Sequence, residues 1–406
     1  MAKMTNEKRN IICALIAGVL AISLFYGYHY ITHYSKQGSG HAKVGFIYDG
    51  DASTPYSANF IKAANRVKNE LGDKTEIVER HNVPYEQADQ VLKELADSGC
   101  DIIFTNSYGY GEAAKKMAEK YPDIEFCEAT CDNANSEPKL SNYHTFMGEI
   151  YQARYVSGIV AGAKLNEMIK NEIISKDEAK VGFVAAFPVA EVISGYTAFL
   201  MGVRSQCPDA VMTVRYINTW NNYALERDVA QQLIDDGCVI ISHHSNTIGS
   251  AIACEEAHKN DKAVYHIGYN QDMMNIAPTA SLTSCRIDWS AYIVSAVEAV
   301  IEKEKIESHV EGKVNGYDTS GGFKEGWVKI FAVNNASAAE GSKELVSDAI
   351  KEMSSGKIHV FKGDYIGVDP NDPSDTYDLN KEYIENEGSS APTFHYVLKD
   401  IITVVE

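Results

Sequence analysis

Short unbroken apolar runs alternate along this chain with longer segments whose apolar residues recur at helical spacing. The run Val44–Tyr48 reads as a buried strand. From Tyr56 to Leu71, the positions Phe60, Ala64, Val67 and Leu71 fall on one helical face. The alternation continues through a strand at Glu76–Val78, a helix at Tyr85–Ala96 stopped by Ser98-Gly99, and a strand at Ile102–Thr105. A helix at Gly111–Glu119 and a strand at Ile124–Cys127 complete the set. A second set follows, with strands at Val181–Phe187, Val211–Ile217, Val239–His243 and Val264–Ile267. Its helices are predicted at Glu191–Val203, Tyr223–Asp235 and Ile248–His258. Strands alternating with helices of this length predict βαβ units, parallel sheets and right-handed crossovers.

Other segments fill in around these sets. Glu149 to Leu165 predicts a helix in which Ala153, Ser157, Gly158, Ala161 and Gly162 permit close packing. Trp289 to Lys303 predicts another. After a Gly-rich stretch from Asn315, the pattern is strand-like at Trp327–Val333, helical at Ala338–Met353 and strand-like at Ile358–Phe361. The acidic tail after Asp369 has no period that assigns it.

The two sets are copies. Lys43-Val44-Gly45-Phe46-Ile47 returns as Lys180-Val181-Gly182-Phe183-Val184, at an offset of 137. Leu95-Ala96-Asp97-Ser98-Gly99-Cys100 returns as Leu233-Ile234-Asp235-Asp236-Gly237-Cys238, at an offset of 138. A duplicated α/β lobe leaves a cleft between similar halves, where small ligands bind. The expected organisation is a first lobe over residues 41–148, with a later crossover segment near 275–310, and a second lobe over 149–272. Residues 311–406 complete both lobes and form the tail.

The N-terminus departs from this pattern. Lys3, Lys8 and Arg9 precede an uncharged run from Ile11 to Tyr28, about the length that crosses a bilayer. The basic flank belongs inside, and Tyr26, Tyr28, Tyr30 and Tyr34 mark the exit. A cleaved signal peptide needs small residues at its exit, and these are bulky. The expectation is one N-terminal transmembrane helix within a membrane anchor and tether over residues 1–40, which makes the protein single-pass with the bulk of the chain extracytoplasmic. Cleavage of the segment is the alternative.

The net charge of −19 opposes nucleic-acid binding, which needs a basic surface. Eight cysteines at scattered spacing do not form a disulfide framework. Cys127 and Cys131 are the one pair near a single strand end.

In open α/β sheets, ligands sit beyond the carboxyl ends of the strands. In the first set those tips are Asp49 to Tyr56, Val83-Pro84-Tyr85 and Asn106-Ser107-Tyr108-Gly109-Tyr110. In the second they are Asn218 to Asn221, His243-His244-Ser245-Asn246 and Tyr269-Asn270-Gln271-Asp272, with Thr283-Ser284-Cys285-Arg286 after a further strand. Aromatics, amides and carboxylates at such tips suit a flat, polar, largely uncharged ligand. Catalytic readings are weaker. Gly109-Tyr110-Gly111-Glu112-Ala113-Ala114 has dinucleotide-fingerprint spacing, but it follows the third strand of its set and Tyr110 would crowd a pyrophosphate. His243 and His244, adjacent on a strand, point opposite ways, which disfavours a metal. No catalytic residue, metal or cofactor is expected.

Lys43-Val44-Gly45-Phe46, the run from Gly148 to Gly158, Val181 to Val184, Gly268-Tyr269-Asn270-Gln271-Asp272 and Thr283-Ser284 come in an order that resembles the basic membrane protein family. Its members are substrate-binding proteins of ABC importers and include purine nucleoside receptors. The resemblance implies two Rossmann-like lobes with parallel sheets, in the type I periplasmic-binding fold. It also implies a nucleoside base held between two rings, with the ribose held by acid and amine groups. On the family's pattern, Asp49 is the aspartate after the first strand, Tyr56 replaces the stacking Phe, and Trp220 is the second-lobe aromatic. Asn270 stands where the family has Asp, Asp272 is retained, and Arg286 replaces a Lys with the register shifted. With Asn106 and Tyr108 added from their tips, these eight residues form the expected ligand set. The implied role is an extracytoplasmic receptor that delivers a nucleoside or related aromatic metabolite to ABC permease subunits. A ligand-sensing ectodomain and an enzyme of the cleft are the alternatives.

Overall fold

The computed structural model describes residues 40–405. The anticipated N-terminal anchor therefore lies outside the described residues. Among those described, no helix is long and apolar enough to cross a membrane.

Two seven-stranded sheets form the framework. The first contains β1 (Ala42–Ile47), β2 (Thr75–Arg80), β3 (Ile102–Thr105), β4 (Glu125–Ala129) and β5 (Tyr143–Gly148). The second contains β6 (Lys180–Ala185), β7 (Val211–Tyr216), β8 (Ile240–His244), β9 (Tyr265–Tyr269) and β10 (Ser281–Ile287). Late strands β11 (Lys313–Asn315) and β12 (Asp318–Gly321) extend the first sheet, and β13 (Val328–Ile330) and β17 (Ile402–Val405) extend the second. The orders β5-β4-β3-β1-β2 and β10-β9-β8-β6-β7 are the same parallel winding twice, and the next strand differs in direction, β12 running parallel to β5 and β13 antiparallel to β10. A small third sheet, β15 (Thr376–Asp378), β14 (Ile366–Val368) and β16 (Val397–Leu398), lies in the tail.

The repeated motif has a packing cause. A Cβ on Gly45 would stand 3.2 Å from Cys100 Sγ and from the Leu95 and Ile103 side chains. A Cβ on Gly182 would meet Leu233, Cys238 and Ile241 in the same way. Each central strand is thinned to admit its neighbouring helix, and Cys100 and Cys238 fill equivalent buried positions.

The helices of ten or more residues are α1 (Pro55–Leu71), α2 (Ala88–Asp97), α3 (Gly111–Lys120), α4 (Ile150–Lys170), α5 (Ala190–Gln206), α6 (Tyr223–Asp235), α7 (Gly249–Lys259), α8 (Ser290–Glu302) and α9 (Ser342–Ser354). The small face of α4 lies directly on α5. Cβ atoms on Gly158 and Gly162 would fall 2.1 and 2.3 Å from the carbonyl oxygens of Phe199 and Val203, and one on Gly202 would fall 1.9 Å from Tyr155 O. The obstacle is backbone, which cannot rotate away. Gly202→Ala is expected to destabilise the protein by about 3 kcal/mol or more, the upper range of overpacking. A denaturant midpoint equal to that of the parent would disprove this contact.

Three connections join the lobes: β5 to α4, β10 to α8 and β12 to β13. Hydrogen bonds tie them together, from Glu149 N to Gly321 O at 2.8 Å and from Asp288 N to Trp327 O at 2.7 Å. Connections of this kind are where hinge closure is absorbed.

Several expectations need correction. Ser281–Ile287 belongs to the second sheet, so the chain enters the first lobe only after Asp288, inside the segment expected near 275–310. Thr283 to Arg286 lie within β10 and do not follow it. Strand β5 carries His144 and Thr145 among its apolar residues, and no strand was anticipated there. Ile358–Phe361 is irregular chain ending in a turn rather than a strand, and Phe361 is nonetheless buried against Phe394, with ring centroids 3.9 Å apart. The seven cysteines of the described residues are buried, and Cys127 and Cys131 do not pair with each other.

Candidate functional site

A cavity of about 550 Å³ lies between the lobes, at the carboxyl ends of both sheets. This is the size range of small-molecule sites. The first lobe contributes Asp49, Tyr56, Tyr85, Ser107, Tyr108, Gly109, Thr130, Asp132 and Met147. The second contributes Phe187, Val189, Ala190, Glu191, Trp220, His244, Asn246 and Tyr269, and the tail adds Ala391 and Pro392.

In the first lobe, Asp49 follows β1 and is held by its neighbours. Ser57 Oγ donates to its Oδ1 at 2.8 Å, and Asn106 Nδ2 donates at 3.0 Å. Burial raises the Asp49 carboxyl above its usual range, and these two bonds pull the other way. Tyr56, in the first turn of α1, donates its hydroxyl to Asn106 O at 2.5 Å. That bond fixes the ring and leaves it bordering the cavity. Asn106 is spent on this scaffold and does not itself line the cavity. Tyr85 donates to or accepts from Ser107 Oγ at 2.8 Å and covers Gly109, where a Cβ would sit 2.6 Å from its ring. The glycines of the fingerprint-like stretch thus serve packing, and Tyr110 donates to Val83 O at 2.6 Å. Tyr108 stands 69% exposed at the mouth. Thr130, with φ of 73°, is a β-branched residue in the left-handed region. Such strain collects at ligand sites.

In the second lobe, Trp220 packs against Phe187 with ring centroids 5.3 Å apart. Its carbonyl accepts Asn246 N at 2.7 Å, which joins two tips. His244 lies 4.6 Å from the Tyr269 ring and 3.3 Å from Glu191 Oε1. Burial pushes its imidazole below the usual range, against the pull of Glu191. His243 faces the other way and stacks on His266 at 5.3 Å. Burial drives His243 down to about 3. The alternation expected for adjacent strand residues therefore holds, with one histidine at the cleft and one in the core. Beneath the site, the Arg154 guanidinium lies 3.8 Å from the Tyr269 ring centroid and is fully buried.

Three further residues of the expected set stand away from the cavity lining. Asn270 is buried, and its carbonyl accepts Asn59 Nδ2 at 2.7 Å across the lobes. Asp272 caps the next turn by accepting Met274 N at 2.9 Å. Arg286 projects from β10 to Asn59 and Asp288, at 3.4 Å each. Asn106 joins them as a supporting residue, while Asp49, Tyr56, Tyr108 and Trp220 border the cavity together. Missing from the sequence reading were Phe187, Glu191, Thr130, Met147 and the tail residues. Phe187 and Glu191 follow β6 as the Asp49–Tyr56 tip follows β1, so the strand-end rule applied to that tip as well.

The lining carries three carboxylates, Asp49, Asp132 and Glu191, and neither lysine nor arginine. Seven aromatic rings, the His244 imidazole among them, line the same space. Such a wall stacks planar groups and accepts hydrogen bonds from hydroxyl or amino groups, and it repels phosphate.

Two lobes of one winding, hinged by three connections around such a cleft, define a solute-binding receptor. Residues 41–360 match the family of PnrA-like ABC transporter substrate-binding proteins, and the chain belongs to it. The family is one of extracytoplasmic receptors. A purine-binding protein of Brucella abortus (strain 2308) is 30% identical over 334 residues, which are 80% of this chain and 86% of that protein. A putative ABC transporter glucose-binding protein of Haloferax volcanii is 29% identical over 215 residues, 53% of this chain and 50% of its own. A solute-binding protein of an ABC transporter system from Aeropyrum pernix K1 shares the fold with a TM-score of 0.64 at 17% identity, covering 78% of this chain and 92% of the other.

Proposed function

We propose that this receptor binds a nucleoside or a closely related aromatic metabolite, closes its lobes around it, and delivers it to an ABC permease. The observation that carries the reading is the cavity lining, with rings from both lobes, three carboxylates and no cation. Tyr56 and Trp220 supply faces for a base. Asp49 and Glu191 accept hydrogen bonds from hydroxyl groups, and neutral His244 and Asn246 read the ring edge. In this reading the ribose end is rebuilt, since Asn270, Asp272 and Arg286 stand away from the cavity lining. A purine-binding relative at 30% identity favours the same ligand class. In this reading, the N-terminal apolar segment tethers the receptor beside its permease.

The test is a thermal-shift screen of the full chain, followed by calorimetry, with adenosine, guanosine, inosine, adenine, AMP and glucose. A nucleoside or base is expected to raise the melting temperature, and AMP to fail, because its phosphate meets an acidic wall. Stabilisation by glucose alone would replace the nucleoside reading with a sugar reading, the ligand class that the name of the Haloferax relative gives.

A further inference from the structure

The match with the family ends at residue 360, yet two residues beyond it, Ala391 and Pro392, border the ligand cavity. They belong to a loop whose two ends are rooted on the second lobe. Glu385, 4% exposed, accepts Ser194 Oγ from α5 at 3.0 Å. The same carboxylate accepts the backbone N–H groups of Thr393 and Phe394, at 3.1 and 2.9 Å, and so pinches the loop closed at its base. Phe394 stacks on Phe361 in the core of that lobe, and β17 then pairs along β7.

The crest of this loop rests on the other lobe. Asn315 Nδ2, on β11, donates to Gly388 O at 2.6 Å. Ser390 N donates to Asp318 Oδ2 at 2.6 Å. Asp318 is 2% exposed at the start of β12, and its second oxygen accepts Thr145 Oγ1 from β5 at 2.8 Å. Within the loop, Asn386 Nδ2 donates to the carbonyls of Ser389 and Ser390 at 3.1 and 2.6 Å. The loop therefore holds its own shape, as compact surface loops do.

We propose that residues 386–392 are a strap that closes one flank of the ligand cavity and ties the second lobe to the first. The root is a hydrophobic core and a paired strand, whereas the seat is two hydrogen bonds. When the lobes part, the seat breaks and the root holds, so the strap leaves with the second lobe. Ligand exchange then requires release from Asn315 and Asp318. Only the exchange measurement below rests on the nucleoside reading.

Small-angle X-ray scattering of the full chain without ligand tests the tie. Asn315→Ala/Asp318→Ala is expected to raise the radius of gyration while the circular-dichroism spectrum stays native. A scattering profile superimposable on the parent's would overturn the strap. Should that variant fail to fold, Asn315→Cys/Gly388→Cys gives the converse. Its oxidised form is expected to be more compact than its reduced form, and identical profiles with the crosslink formed would overturn the proposal. With adenosine as the probe, oxidation is expected to slow release at least about tenfold, since the hinge motion it blocks gates exchange, and an unchanged rate counts against the strap. Absence of adenosine binding bears on the nucleoside reading alone, and the scattering result still decides the strap.

Discussion

Trp220→Ala is expected to weaken binding of the aromatic ligand at least about tenfold without unfolding the protein. Stacking on an aromatic side chain is worth about 1–3 kcal/mol per base where it has been measured, and tenfold is 1.4 kcal/mol. Trp220 is half-buried and packs on Phe187 at the edge of the cleft, so its loss removes a cavity wall and leaves the sheet core in place. Trp220→Phe keeps a ring and should lose only part of the affinity. The pair separates stacking from general packing, because packing loss alone would show in the melting temperature of both variants. Calorimetry with the ligand found in the screen reads the effect, and an unchanged affinity in Trp220→Ala removes the clamp. Tyr56→Ala should act similarly from the opposite lobe. Tyr56→Phe keeps the ring and breaks only the bond to Asn106 O, so a smaller loss is expected.

The parts of this site that the sequence made legible are those that follow from period and repetition. The central strands are apolar because helices cover both their faces, and duplication marks them a second time at Gly45 and Gly182. Once their ends are known, Asp49, Tyr56, Tyr108 and Trp220 fall at the cleft by the geometry of parallel sheets. Side-chain direction is another matter. Asn106 and Asn270 have the chemistry of ligand contacts, yet their partners are Asp49, Tyr56 and Asn59, which only the folded chain brings near. Arg286 was misplaced because β10 contains Thr283, Ser284 and Arg286, so its polar end reads as a loop. The strap was illegible for a different reason. Its flanking strands are two to four residues long, too short to display a period, and its contacts with Ser194 and Asp318 reach 191 and 72 residues back along the chain.

Glu226→Ala is expected to be among the most destabilising single changes in the second lobe, at about 3–5 kcal/mol. Glu226 sits in the first turn of α6 and is fully buried. One oxygen accepts Ser250 N at 2.9 Å and Ser250 Oγ at 3.1 Å. The other accepts Ser245 Oγ at 2.7 Å and Thr247 Oγ1 at 2.6 Å. Four donors from the tip after β8 and the first turn of α7 thus converge on one carboxylate, and truncation strands them without water. Each stranded buried donor costs about 1–3 kcal/mol before relaxation, and hydroxyls that rotate recover some of that. A Cβ on Gly249 would approach Arg227 N and Tyr223 O at 2.7 Å, so α6 and α7 meet too closely here for a larger side chain to substitute. Glu226→Gln keeps one acceptor oxygen and turns the other into a donor. It should therefore fall between the parent and the alanine variant, since the Ser250 N–H cannot reverse as a hydroxyl can. The same tip carries Asn246 at the cavity and holds Trp220 through its backbone N–H. Binding should thus weaken in Glu226→Gln even at temperatures where the protein stays folded. Denaturation curves together with calorimetry check both effects. A Glu226→Ala protein that melts within a degree of the parent would mean that the network is replaced by water and contributes nothing to the lobe.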